Sequence, residues 1–376
     1  MKIQVKFLAF LFIFLSFISG CKKNNNVILV GEFGSLTGGT ATFGQSTHHG
    51  IELATDEINA NGGLLGKKIE IITEDDQSKP EEAKTAVLKL IKQNRVQAIL
   101  GEVASSRSLA AAPEAQRSQI PMISPASTNP KVTEVGNYIF RACFIDTFQG
   151  SAMAKFAYNH LKLRRVAILK DIKNDYSVGL ADFFEKTFKQ LGGEIIAIES
   201  YSEGDIEFRA QLTSLKPKNP DGIYVPGYYT EVGLIARQAR ELGLNIPLLG
   251  GDGWDSPKTV EIGGSAVNDS YYTNHYASDD PSPVVQTFIA KYKKKYGVVP
   301  DAMAVLGYDA ANILFDAIQR AHSADPAKVR DAIAETKNFQ GVSGSITMDA
   351  NRNAEKSIVV LTIENGKIKF KEKINP

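Results

Sequence analysis

From residue 27 onward, short apolar runs rich in β-branched residues alternate with longer stretches whose apolar positions recur at helical spacing. VILVGEF (27–33) reads as a buried strand, and GIELATDEINANGG (50–63) as an amphipathic helix stopped by glycines. The pattern repeats through strand KIEIITED, helix EEAKTAVLKLIKQN, strand QAILG, helix SLAAAPEAQRSQ and the apolar run PMIS at 121–124. Parallel strands need crossover helices, so this regular βα alternation predicts a parallel sheet covered on both faces.

A second series of the same kind starts near Asp146. Helix TFQGSAMAKFAYNHL leads to strand RRVAILK, then SVGLADFFEKTFKQLGG, EIIAIES, FRAQLTSLK, GIYVPG, TEVGLIARQARELGL and PLLGG. The chain therefore predicts two similar α/β halves, each a doubly wound parallel sheet with helices on both faces. After Asn268 come strand SYYTNHY, helices over 283–296 and 303–322, a third from Pro326, and strands near SGSITM, SIVVLTI and KIKFKEK. That tail is too short and too helix-rich for a third domain. It is expected to return and complete the first two, giving an N-terminal lobe of 27–145 plus 275–348 and a C-terminal lobe of 146–274 plus 349–376. The connections would cross near Asp146, Asn274 and Asp349 and form a hinge.

Residues 1–20 stand apart from this pattern. Lys2 and Lys6 precede the apolar run FLAFLFIFLSFI, which is short of the roughly 20 residues a membrane span needs and fits an export signal. It ends in Ile-Ser-Gly-Cys, which resembles the lipobox of bacterial lipoproteins. Cys21 would then be the acylated first residue, and 22–26 (KKNNN) a polar tether. No other stretch approaches spanning length, so the rest is expected to be soluble. The charge is balanced, 43 basic residues against 42 acidic, and the one basic run (KYKKKY, 291–296) sits in a helical context as a solvated face. Nucleic acid is therefore not an expected partner. With Cys21 lipidated, Cys143 has nothing to pair with, and its apolar surroundings (YIFRACFID) predict a buried, inert thiol.

Catalytic constellations are weak. The five histidines show no metal-ligand spacing, two cysteines cannot build a thiolate zinc site, and there is no GxSxG elbow. GGLLGKK (62–68) lacks the Ser or Thr and the following helix of a phosphate loop, and reads as a helix cap and turn. Nothing asks for an enzyme or a cofactor. The strand ends do carry chemistry. QAILGEVASS (97–106) and IPMISPAST (120–128) are both apolar runs that stop in hydroxyl-bearing loops. In open α/β sheets ligands bind beyond the carboxyl ends of strands, often against helix N-termini. Ser105 or Ser106 is expected to cap a helix whose free N–H groups attract a carboxylate. Ala126, Ser127 and Thr128 add backbone and hydroxyl contacts. In the second half GGDGWDS (250–256) offers Asp252 between glycines, and VPGYYTEVG offers Tyr228 and Tyr229. Asp255 is expected to cap the following helix. Neutral donors on one wall and a carboxylate on the other suit a zwitterion.

Over the whole mature length these motifs, in this order, resemble the periplasmic leucine/isoleucine/valine-binding protein family. The stretches that carry the resemblance are GSLTGGTATFG, DEINANGGLLGKKIEII, EDDQSKPEEA, GEVASS, IPMISPAST, NDYSVGLA, VPGYYTEVGLIARQAR and LLGGDGWDSP. The resemblance implies a two-lobed type I periplasmic-binding fold and a monomeric, lipid-anchored receptor that delivers an amino acid to an ABC permease. It implies that Ser105, Ala126 and Thr128 hold the ligand α-carboxylate, that Asp252 and Tyr228 hold the α-ammonium, and that Tyr176 closes from the second lobe. The chain departs from the family where Phe43 replaces Tyr, where Asp252 replaces a longer Glu, and where Gln77 and Ala104 replace a cystine. A sensing subunit, or a receptor for an amide, urea or aromatic acid, stays open at this point. For the anchor, Cys21→Ser is expected to block lipid attachment and leave an uncleaved or mis-sorted precursor. Metabolic labelling with a fatty acid checks this, and label retained on the variant would contradict it.

Overall fold

A computed structural model describes residues 26–375. The export signal, Cys21 and most of the tether lie outside the described residues. The first series gives β1 (Val27–Gly34), α1 (Ala41–Ala60), β2 (Lys68–Asp75), α2 (Pro80–Lys89), β3 (Ala98–Leu100), α3 (Ser105–Arg117), β4 (Met122–Ser124), α4 (Lys131–Glu134) and β5 (Ile139–Arg141). The second gives α5 (Asp146–Asn159), β6 (Arg165–Asp171), α6 (Asp175–Gln190), β7 (Glu194–Tyr201), α7 (Arg209–Leu215), β8 (Gly222–Tyr224), α8 (Tyr229–Glu241), β9 (Leu248–Gly250), α9 (Pro257–Gly263) and β10 (Ser270–Asn274). The tail holds α10 (Pro283–Tyr296), α11 (Ala302–Arg320), α12 (Pro326–Ala334), β11 (Phe339–Gly341), β12 (Gly344–Met348), β13 (Ala354–Glu355), β14 (Ile358–Glu364) and β15 (Lys367–Ile374).

These strands build a five-stranded parallel sheet ordered β2-β1-β3-β4-β5, a seven-stranded sheet ordered β15-β14-β10-β9-β8-β6-β7 and a small three-stranded sheet ordered β11-β12-β13. Both larger sheets are covered on two faces: in the first, Ile28 and Val30 pack with Ile313 and Leu314, whereas Ile99 and Met122 pack with Val87 and Ala112, and the β6 register shows the same of the second. Val166 and Ile168 pack with Phe184 and Leu249, whereas Ala167 and Leu169 pack with Leu212, Ile235 and Trp254. The fold is the expected α/β architecture, with one refinement. β14 and β15 run antiparallel at one edge of the second sheet. The hairpin joining them turns through Asn365 and Gly366, both at positive φ (52° and 71°), the pair that a two-residue turn of this hand favours. Short elements such as α4, β11 and β13, together with β5 and the start of α1, exceed the reading of the sequence. β5 is a three-residue strand inside what reads only as an apolar context for Cys143, and α1 starts at Ala41, well before 50.

α1 begins early because of what it packs against. Its first turns contain Thr, Gly and His, poor helix formers, but they lie along α11, which is buried nearly end to end. The two backbones touch. A methyl on Gly50 would collide with the Ala304 carbonyl, and one on Gly307 with the Thr47 carbonyl. This close seam fixes Phe43 and Met303 relative to the first sheet.

Three segments cross between the sheets. They are 142–145, leading to α5, then 275–282, leading to α10, and Lys356–Ser357, between β13 and β14. β12 and β13 pair with each other, so the chain reaches the second sheet only at β14. Phe144 and His275, from the first two segments, stack at 3.7 Å between ring centroids. Lys356 is buried and bonded to the Ser343 hydroxyl, which itself donates to Asp309 Oδ2 at 2.6 Å. Burial pushes the Lys356 ammonium down to about 8, against the pull of Asp309. Among the described residues no helix is long and apolar enough to cross a membrane.

The α1–α11 seam generates a prediction. Gly50→Ala is expected to lower stability by about 1–3 kcal/mol, the usual range for overpacking a tight contact. Chemical denaturation measures it, and an unchanged midpoint would contradict the seam.

Candidate ligand site between the two sheets

The carboxyl ends of β3 and β4 form one wall. Ser105 is the first residue of α3, preceded by Ala104, whose side chain cannot cap. The Glu102 carboxylate takes the Ala104 N–H, and also accepts from Ser35 Oγ at 2.9 Å. With Ala104 in the cap position, the expected serine cap is not made. Ser105 Oγ instead accepts from the Asn129 N–H at 3.2 Å, which leaves its own proton free to donate. Ser106 turns outward, accepting from Asp175 N (2.9 Å) and donating to Asp175 Oδ2 (3.0 Å) on α6. Ser127 is fully buried and ties the two loops together. Its hydroxyl lies 2.7 Å from Ser108 Oγ and 2.9 Å from the Glu102 carbonyl. Thr128 is also buried, and its Oγ1 has no hydrogen-bond partner among the described residues.

The ends of β8 and β9 form the opposite wall. Asp252 opens a short 3-10 turn after β9 and is 3% exposed. Its Oδ1 accepts from Gln149 Nε2 at 2.9 Å, and its Oδ2 lies 2.9 Å from His275 Nε2. Burial pushes His275 down to about 4, against the field of Asp252. At neutral pH the imidazole is thus uncharged and donates its Nε2–H to the carboxylate. Gln149 is fixed in turn, because its Oε1 accepts from Thr273 Oγ1 (3.1 Å) and Asp252 N (3.2 Å). A carboxylate has about four acceptor directions, so Asp252 keeps two for another donor. Tyr176, in the first turn of α6, accepts from Gly253 N at 3.1 Å, and burial holds its hydroxyl in the protonated form. Asp255 does not cap the following helix, and the cap of α11 is Asp301. Asp255 accepts from Ala302 N on α11 at 2.6 Å, while Ser256 caps α9.

Phe43, Ser105, Ala126, Tyr176, Tyr228 and Asp252 meet at one cavity, together with Val103, Gly253 and Met303; Ser127 and Thr128 lie outside its lining. The cavity measures about 10 Å³, close to one water centre, because its walls touch. Tyr176 and Tyr228 stack at 5.3 Å, and Phe43 meets Tyr228 and Tyr229 edge-on at 5.5 and 4.9 Å. Polar contacts close the rim as well. Thr42 Oγ1 lies 3.0 Å from Ser256 Oγ, Asn129 Nδ2 donates to the Asp175 carbonyl at 2.8 Å, and buried Arg107 bridges Glu102 (3.2 Å) and Glu203 (3.7 Å). Larger cavities of about 750 and 560 Å³ lie beside α10 and α11 and behind the crossovers. Neither sits where the strand ends of both sheets converge, so chemistry rather than size picks out the small one.

Comparison with known proteins places this geometry. The sequence profile of periplasmic binding proteins matches residues 27–367. The chain belongs to the periplasmic binding protein family. Leu/Ile/Val-binding protein BraC3 of Rhizobium johnstonii is 30% identical over 322 residues, 85% of this chain and 87% of that protein. Among solved structures, leucine-binding protein LivK of Thermotoga maritima is 44% identical, with a TM-score of 0.89 over 93% of this chain and 99% of its own. LivJ of Streptococcus pneumoniae, a branched-chain amino acid transporter substrate-binding protein in complex with isoleucine, is 33% identical, with a TM-score of 0.89 over 93% and 100%. A solute-binding protein of Rhodopseudomonas palustris, in complex with 3,4-dihydroxybenzoic acid, is 28% identical, with a TM-score of 0.84 over 93% and 98%.

Gln149 and His275 escape the sequence reading. Gln149 lies 103 positions from Asp252 on a helix face with no motif, and His275 enters only as one of five histidines without metal spacing. On the opposite wall, Ser105 presents the one hydroxyl in the cavity lining from the first sheet. Ser105→Ala is expected to weaken ligand binding by about 1–3 kcal/mol without abolishing it, because the α3 N–H groups remain. Calorimetry tests this, and unchanged affinity would move the carboxylate contact elsewhere.

Proposed function

We propose that this periplasmic binding protein is the lipid-anchored receptor of an ABC importer and that it takes an apolar, branched-chain type α-amino acid. The observation that carries the reading is the polarity of the small cavity. A helix N-terminus and a neutral hydroxyl stand on one wall, and a buried carboxylate with two free acceptor directions stands on the other. Apolar Val103, Met303 and Phe43 line the remainder, which suits an aliphatic side chain. The isoleucine complex of LivJ supports the same class.

In this reading 27–145 with 275–355 and 146–274 with 356–375 form two lobes that rotate about the three crossovers. The open form admits the zwitterion, and closure brings Phe43 against the Tyr176–Tyr228 stack and Arg107 to Glu203 over it. The closed form would then engage permease subunits at the membrane holding the Cys21 anchor, with the receptor a monomer. Presentation of the same closed form to a signalling partner is the competing role, and gene neighbours encoding permeases and ATPases would decide for import.

One specific observation favours a second ligand class. The Rhodopseudomonas palustris relative holds a dihydroxybenzoic acid, which has no ammonium. The two classes part at Asp252. For an amino acid, Asp252→Asn strands the ligand ammonium in a water-poor cleft, at a cost on the order of 3–5 kcal/mol, or 10²-fold or more in affinity. The variant is expected to lose amino-acid binding at micromolar ligand while keeping its fold. A thermal-shift panel of amino acids, amides and aromatic acids, followed by calorimetry on both proteins, decides it, and equal affinities would refute the ammonium assignment.

A further inference from the structure

His275 is not itself part of the cavity lining, yet three independent features converge on it. Its Nε2 stands 2.9 Å from Asp252 Oδ2. Its ring is held flat against Phe144, at 3.7 Å and 17°, so the donor direction is fixed. It is also the first residue after β10, on the crossover to α10, with its own N–H bonded to Asn274 Oδ1 at 2.8 Å. We propose that His275 is the positioning residue for amine recognition, its Nε2–H fixing the Asp252 carboxylate in the orientation that receives the ligand ammonium.

The proposal rests on the amino-acid reading above and adds the group that makes Asp252 competent. A carboxylate this buried needs a hydrogen-bond donor on each oxygen, and Gln149 serves only one. A lysine or arginine at position 275 would supply a donor but also a charge, neutralising the wall and competing with the incoming amine. A neutral imidazole supplies the donor alone. Burial against Phe144 keeps it neutral, and its Nδ1 has no partner among the described residues, consistent with an imidazole carrying its single proton on Nε2. Amine recognition is thereby fastened to two of the three crossovers, through Phe144 and through His275 itself.

The test is calorimetry with the tightest-binding of L-leucine, L-isoleucine and L-valine, and with its deaminated carboxylic acid at millimolar concentration. His275→Phe keeps the stack and removes the donor, and His275→Gln replaces the donor. Loss of a hydrogen bond to a charged group predicts that His275→Phe weakens the amino acid by roughly 10-fold or more and leaves the deaminated acid unchanged, with His275→Gln recovering most of the loss. His275→Asn, whose shorter amide stops short of Asp252, replaces the phenylalanine variant if that fails to fold. Equal weakening of both ligands would reduce His275 to a structural role and overturn the proposal. Loss of amino-acid binding in Asp252→Asn with no effect in His275→Phe would overturn the proposal alone. An Asp252→Asn protein that keeps its affinity, or a wild type that binds none of the three amino acids, would overturn the ammonium reading and this proposal with it.

Discussion

The account hangs on one buried charge. Asp252 sits at 3% exposure with a neutral donor on each oxygen, and the surroundings are built to tolerate that arrangement. Burying a carboxylate without partners is costly enough that the group would rather bind a proton. Two neutral donors satisfy its oxygens without adding a compensating positive charge, and in a low-dielectric cleft a carboxylate attracts an ammonium group much more strongly than in water. The Gln149–Thr273 pair behind it and the His275–Phe144 stack beside it are the structure's means of holding that charge.

Glycines make room for it. A side chain on Gly251 would run into Tyr176 and Gln149, and one on Gly253 would lie 2.7 Å from the Gly227 carbonyl. The loop around Asp252 is therefore pressed against α5, α6 and the end of β8, the elements that supply its partners. The opposite wall uses no fixed positive charge. Arg107 is occupied at the rim by Glu102 and Glu203, leaving helix N–H groups and the Ser105 hydroxyl to face an anion. The two walls thus differ in preference, as the proposed zwitterionic ligand requires.

Much of this is legible in the chain because periodicity and strand ends are local properties. The βα alternation marks both sheets, and the glycine-flanked Asp252 and the hydroxyl loops fall where strands stop. What escapes is set by contacts distant in sequence. β5 is three residues long and held by pairing to β4. The early start of α1 depends on α11, more than two hundred residues away. Ser105 looks like a cap until it is seen to be the first residue inside α3, with Ala104 in the cap position. Ser127 looks like a ligand hydroxyl until its bonds inside the loop are traced. Gln149 and His275 carry no local signature at all. Asn365-Gly366, by contrast, is a hairpin signal present in the sequence.

The most direct measurement separates the two ends of the ligand. Calorimetry on the wild-type protein would compare L-leucine with 4-methylpentanoate, which lacks the amine, and 3-methylbutylamine, which lacks the carboxylate. Recognition by opposed walls predicts that the intact zwitterion binds at least about 10²-fold more tightly than either half, since each half leaves one buried wall unmatched. A carboxylate-only ligand that bound as tightly as the amino acid would contradict the account.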